Sequence, residues 1–303
     1  MAYGSSVEFA SGVSQLRKEF MNRKSIILVG GPDSGKSNYV GRLWAALKAG
    51  KGQLQRAGMP QNIEYVESIC ENLLQGEFAG RTDTNTERQD FCVPLKLEQS
   101  NNPTELIVPD FTGELWRDAV KNSDIPREWL DTLESAEGAL LFVRVLSPLN
   151  VQPLDWVATR SALSFIGEGN EEVELPTQVI LCELLRLLQQ RLSVRPDGKK
   201  PRVAIVVTAW DKLDAASQEA GPQAYLRKQF PLFAGALEDA RRVEARVYGV
   251  SIVGGDLQYD PDFQEKYQSM IMAESGSVTL ERDGAWYQDT DVTIPVAWAI
   301  GAQ

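Results

Sequence analysis

The sequence predicts an α/β protein built on a mostly parallel central sheet with helices on both faces. Three observations predict it. Residues 24–29 are a short apolar run, followed by the glycine-rich stretch from Gly30 to Ser37 and then by helical spacing from Asn38 to Ala49, with Val40, Leu43, Trp44 and Leu47 on one side. Gly138–Leu146 and Val203–Val207 are near-continuous apolar runs, the pattern of parallel strands covered on both faces. Between them, Thr177–Leu192 carries Val179, Ile180, Leu184, Leu187 and Leu188 as one apolar stripe, as a helix packed on such a sheet requires.

The glycine-rich stretch Gly30, Gly31, Pro32, Asp33, Ser34, Gly35, Lys36, Ser37 reads G-x-x-x-x-G-K-S, the P-loop pattern, in its required strand–turn–helix context. Such a loop aims successive backbone N–H groups at a polyphosphate and seats it on a helix N-terminus, where the dipole favours negative charge. Gly30 and Gly35 allow close approach, Lys36 reaches the β and γ phosphates, Ser37 offers a hydroxyl to Mg²⁺, and Asn38 opens the helix.

Composition narrows the class further. The 303 residues suffice for one large α/β domain, and 31 Lys and Arg against 42 Asp and Glu leave a net charge of −11. That balance argues against broad nucleic-acid binding. No stretch of about 18 apolar residues occurs, so no membrane insertion is expected, and the N-terminus lacks a secretory pattern; a cytoplasmic protein is expected. Cys70, Cys92 and Cys182 lack metal-ligand spacing and read as free thiols. The absence of histidine removes Ser-His-Asp and Cys-His catalysis and histidine metal sites.

Residues 1–23 show a short helical pattern through Val13, Leu16 and Phe20, a lead-in helix or arm ahead of a domain spanning 24–303. Insertions are expected at about 51–88 and 148–176, and a C-terminal extension from about 256. Gly50–Gly58 reads as a polar connection and Gln61–Leu74 as a helix; the glycine- and threonine-rich segment 75–86 stands where a P-loop switch protein keeps a phosphate-sensing loop. Asp90–Glu98 alternates apolar and polar residues and Thr104–Pro109 is a compact apolar run, together a strand pair. Directly after it come Asp110, Phe111, Thr112, Gly113 and Glu114: an aspartate at a strand end can hold Mg²⁺ through water, and the Gly113 N–H can approach a γ-phosphate.

Val203–Val207 ends in Thr208, Ala209, Trp210, Asp211 and Lys212, again an aspartate past a strand terminus, where open α/β sheets place ligands. A buried carboxylate there accepts the N1–H and N2–H of guanine, donors that adenine lacks. Gln218–Arg242 reads as helical pieces interrupted at Pro222 and Pro231, and Ala245–Val250 as the last strand, with Ser251 and Ile252 opening a loop whose N–H groups can meet guanine O6. Arg282, Asp283 and Gly284 signal a hairpin between Val278–Leu280 and Ala285–Tyr287, and Ile294–Ile300 a short helix entered through Pro295.

This ordered set of motifs resembles the guanine-nucleotide-binding domain of TRAFAC-class P-loop GTPases across roughly residues 24–255. The T-A-W-D motif, the G-E-F-A-G-R-T segment and the terminal P-V-A-W stretch resemble more narrowly the bacterial double-GTPase group of conflict and phage-defence operons. The resemblance implies a Ras-like core and Mg²⁺-dependent binding of GTP and GDP. Lys36 and Ser37 would hold phosphate and metal, Asp110 and Gly113 the second switch, and Asp211 the base. Thr82 is the first choice for the switch threonine on Mg²⁺, with Thr84 and Thr86 open, and Arg81 is a candidate arginine finger in cis. Thr208 replaces the asparagine that braces the loops and Ala209 the lysine that covers the base. Glu114 replaces a water-orienting glutamine, so hydrolysis should be slow. The implied function is a nucleotide-state switch for a partner protein; a non-hydrolysing nucleotide-sensing scaffold and a P-loop ATPase are the alternatives.

Overall fold

The structure is a computed structural model that describes residues 24–60, 63–78, 91–98, 103–108, 116, 119–120, 125–153, 175–257, 260–269 and 275–302. The expected lead-in arm at 1–23, the residues Arg81, Thr82, Thr84, Thr86, Asp110, Gly113 and Glu114, and most of the expected insertion at 148–176 lie outside the described residues.

The apolar runs form strands β1 (Lys24–Val29), β5 (Gly138–Arg144), β6 (Arg202–Thr208) and β7 (Glu244–Ser251). With β4 (Thr104–Val108) they make a parallel block in the order β4-β1-β5-β6-β7. β3 (Phe91–Leu97) joins antiparallel to β4, and β2 (Leu54–Arg56) to β3. Residues 50–58 are therefore more than a connection: three of them form this edge strand, too short to show alternation in the sequence. Ala245–Val250 does not end the sheet either. β8 (Ser277–Arg282) pairs antiparallel with β7, and β9 (Ala285–Asp289) with β8, completing the nine strands found among the described residues. Asp283 and Gly284 both take positive φ (53° and 79°), the turn that matches a two-residue hairpin.

Both faces of the parallel block are covered, which explains why its strands read as continuous apolar runs. Ile26, Leu28, Leu140, Phe142, Ala204 and Val206 face one core with helices α1 (Lys36–Ala49), α2 (Ile63–Leu74), α7 (Pro261–Ser269) and α8 (Ile294–Ile300). Ile27, Val29, Leu141, Val143, Ile205 and Val207 face the other, with α3 (Arg127–Ser135), α4 (Thr177–Arg191), α5 (Ala215–Gln229) and α6 (Pro231–Glu238). α5 breaks at Gly221, whose backbone is non-helical, one residue before Pro222, and α6 begins at Pro231, as the two prolines predict. No helix among the described residues is long and apolar enough to cross a membrane.

Candidate nucleotide-binding site

The C-terminal ends of β1 and β6 bring the phosphate loop and the T-A-W-D segment to one edge of the sheet. Gly30 packs so tightly on β5 that a Cβ would stand 3.0 Å from Phe142 Cβ and 3.1 Å from its carbonyl oxygen. Gly35 caps α1 in the left-handed region (φ 88°) and offers no side chain to the first-turn N–H groups, which face the loop as an anion site requires. The Lys36 ammonium curls over the loop, donating to the carbonyls of Gly30 (2.7 Å) and Gly31 (2.9 Å) and to Ser34 Oγ (3.1 Å). Ser37 and Asn38 follow in the first turn of α1. Ser37 has a hard oxygen suited to Mg²⁺, as do Thr82 and Asp110 by residue type, though these two lie outside the described residues.

Thr208, which stands where the resemblance has a bracing asparagine, supplies a brace of its own. Its buried hydroxyl donates to the Ser34 carbonyl at 2.8 Å, and a Cβ at Gly35 would stand 3.0 Å from its oxygen. The phosphate loop and the base segment are thereby hydrogen-bonded to each other. Ala209 follows in the left-handed region (φ 56°), turning the chain into the short 3₁₀ helix Trp210–Lys212. Trp210 is buried in the core, its ring edge-on to Tyr225 and filling the space beside Gly249, so its backbone is what it offers a base.

Burial pushes the Asp211 carboxyl above its ordinary value, against a hydrogen bond from Ser251, its own backbone N–H and the Lys212 charge, which pull it down. The Ser251 hydroxyl also accepts from the Gly254 N–H at 2.8 Å, closing the loop that contains Ile252. Lys212 pairs with Asp256 at 3.7 Å, tying the two loops across the site. The arrangement sets a partly desolvated carboxylate beside backbone N–H groups, the pattern that accepts two donors from a base and donates to its carbonyl.

Three residues not singled out in the sequence also serve this edge. Arg42, fully buried on α1, donates through Nε to the carbonyls of Ile252 (3.2 Å) and Ser275 (3.1 Å), pinning the base loop to the phosphate helix. Arg144, the last residue of β5, and Ser147, just beyond it, both donate to the Asp33 carboxylate. Arg144 had a visible signal, a lone charge inside the apolar run 138–146; Arg42 and Ser147 had none. A cavity of about 350 Å³ opens here between the loop and α4, lined by Pro32, Phe142, Arg144, Leu149 and Leu181 among others.

A parallel block with a phosphate loop after its first strand and a half-buried aspartate after β6 defines a P-loop nucleotide-binding protein. The family model Double-GTPase 1 matches residues 27–299, and the chain belongs to that family of GTP-binding proteins. Among solved structures, the chain is similar to the signal recognition particle receptor SRb-GTP/SRX complex from Chaetomium thermophilum, at 14% identity and a TM-score of 0.36, over 82% of this chain and 98% of that one. Comparison with curated proteins gives no match.

Proposed function

We propose that this chain is a Mg²⁺-dependent GTPase that hydrolyses GTP slowly and serves as a nucleotide-state switch for a partner protein, in the bacterial defence setting that its family resemblance implies. The observation that carries this reading is the Thr208–Ser34 hydrogen bond, which couples the phosphate loop to the strand end bearing Asp211. Phosphate and base are then read by one braced unit. Lys36 and the first-turn N–H groups of α1 bind and orient the phosphates; Ser37, with Thr82 and Asp110, would hold the Mg²⁺, which supplies charge neutralisation at the phosphate oxygens. Asp211 accepts the guanine donors and the Ile252 N–H donates to its carbonyl. The loops around Thr82 and Asp110 report the γ-phosphate to the partner. Glu114 in place of a glutamine places a like charge near the γ-phosphate and slows hydrolysis, which also favours the second reading, a non-hydrolysing sensor.

Calorimetric binding of GTP against ATP with Mg²⁺, followed by phosphate release from the same sample, tests this reading. GTP-selective binding that Lys36→Ala abolishes is expected, with slow turnover. Equal or ATP-favoured binding overturns the guanine assignment, and binding without any turnover selects the sensor.

A further inference from the structure

Asp33 is chemically out of place. The crest of an anion-binding loop needs a left-handed residue, and Asp33 takes one at φ 56°, yet glycine would adopt it freely and without charge. A carboxylate a few ångströms from a polyphosphate repels it, a cost equivalent to ~10- to 100-fold in affinity even with solvent screening.

The surroundings answer this charge. Arg144 Nη1 donates to Asp33 Oδ1, and the Ser147 hydroxyl donates to Oδ2 at 2.6 Å. Both acid and base are largely shielded, with side chains 24% and 28% exposed. The platform is itself ordered: Asn150 Nδ2 donates to the Arg144 carbonyl at 3.0 Å and the Leu149 N–H to Ser147 Oγ at 3.2 Å. Arg144 is the last residue of β5, the strand beside β1, so the guanidinium is delivered to the loop from a fixed strand end.

We propose that Arg144 is a positioning residue of the phosphate site: it neutralises Asp33 and holds the loop crest in the left-handed turn that aims its N–H groups at a nucleoside triphosphate. The assignment rests on the reading of this edge as a GTP site. Arg144 acts through Asp33, and its effect is electrostatic as much as steric. Asp33 in turn couples the loop to the segment 144–150, so a change in one is felt by the other.

A double-mutant cycle on the full chain, read as Mg²⁺-GTP affinity at low and high salt, tests this. Arg144→Gln leaves the carboxylate bare, so affinity should fall ~10-fold or more, by less at high salt, where the charge is screened. Arg144→Lys should recover part of the loss. Asp33→Asn keeps a residue tolerant of positive φ and frees the Arg144 charge, so binding should tighten severalfold. The combined Asp33→Asn/Arg144→Gln variant should return to within ~3-fold of wild type, the sign of coupling between the two sites. A clasp that is only structural gives the opposite pattern, with Asp33→Asn weakened like Arg144→Gln, no recovery in the combined variant and no salt dependence of the deficit; that result overturns the proposal. Asp33→Asn decides the matter alone if Arg144→Gln does not fold, because weakened binding there is incompatible with a charge cost. Failure of the wild type to bind GTP would instead overturn the GTP reading itself.

Discussion

Asp211 is pulled in two directions. Burial raises its carboxyl, whereas accepting two guanine donors requires the ionised form. With its folded value above the ordinary 3.8, its contribution to stability is full below that pH and is lost as pH rises through the raised folded value. Asp211→Asn has no proton to lose. Its stability relative to wild type should therefore increase as pH rises above ~4, which urea unfolding of the two nucleotide-free proteins checks; parallel curves would mean that burial does not strain this carboxylate. The same substitution should weaken GTP by ~100-fold or more while improving xanthosine triphosphate, whose extra carbonyl the amide can pair. If competition binding shows both nucleotides moving alike, Asp211 does not read the base. At this scale the Gly30–Ser37 loop was legible as a strand-to-helix turn, because its glycine spacing dictates that turn. Thr208 was legible only as a departure: its compensating bond reaches a carbonyl 174 positions away, which no local pattern reveals.

Helix α1 links the two halves of the site as an element. Its residues from Tyr39 to Leu47 are all buried, Arg42 among them, so one helix carries the Gly30–Ser37 loop at its N-terminus and sends a guanidinium to the Ile252 carbonyl. Burial lowers the Arg42 pKa, but the neighbouring Tyr267 and Asp291 pull it back up and the guanidinium stays charged. Arg42→Met keeps the apolar stem and removes the donors, and should cost ~2–3 kcal/mol of stability, since hydrogen bonds from a buried charge are among the stronger ones. Because the lost bonds hold the Ile252 carbonyl, the preference for GTP over ATP should narrow as well. Denaturant unfolding and nucleotide competition read the two effects separately; a stability loss with unchanged selectivity would make Arg42 a core residue only. Elements were legible where burial is uniform, as in β5 and β6, whose runs lie within a residue or two of the observed strands. They were not where length or irregularity erases the period, as in three-residue β2 and in α5, broken at Gly221.

The residues beyond 256 belong to the same body as the site, because the sheet and its first core extend into them. β8 continues the sheet from β7, Tyr39 on α1 donates to the Val292 carbonyl at 2.9 Å, and the Gln53 N–H donates to Asp291 at 2.8 Å. α8 then closes the end of the sheet opposite the Gly30–Ser37 loop. Arg202, first residue of β6, donates to the carbonyls of Trp298 (2.7 Å) and Ala302 (2.6 Å), and a Cβ at Gly138, first residue of β5, would stand 3.2 Å from the Ala299 carbonyl oxygen. Trp298 is 2% exposed and lies under the guanidinium groups of Arg202 and Arg246, 5.0 and 5.1 Å from the ring centroid. Trp298→Ala should therefore cost ~3–5 kcal/mol from the cavity and lost packing. Trp298→Phe should cost distinctly less, since the indole N–H it removes has no hydrogen-bond partner among the described residues. Since Trp298 packs near the strand starts and the proposed nucleotide site lies at their C-terminal ends, the folded fraction of Trp298→Ala should bind GTP with wild-type affinity, unlike Arg42→Met. Excess GTP at ~100 times its dissociation constant should then return ~2.7 kcal/mol to either protein, wild type or Trp298→Ala. Thermal unfolding with and without GTP checks this. Equal ligand-induced stabilisation would establish that stability and recognition reside at opposite ends of one sheet, and a loss of stabilisation in Trp298→Ala would mean that the two ends are coupled through it.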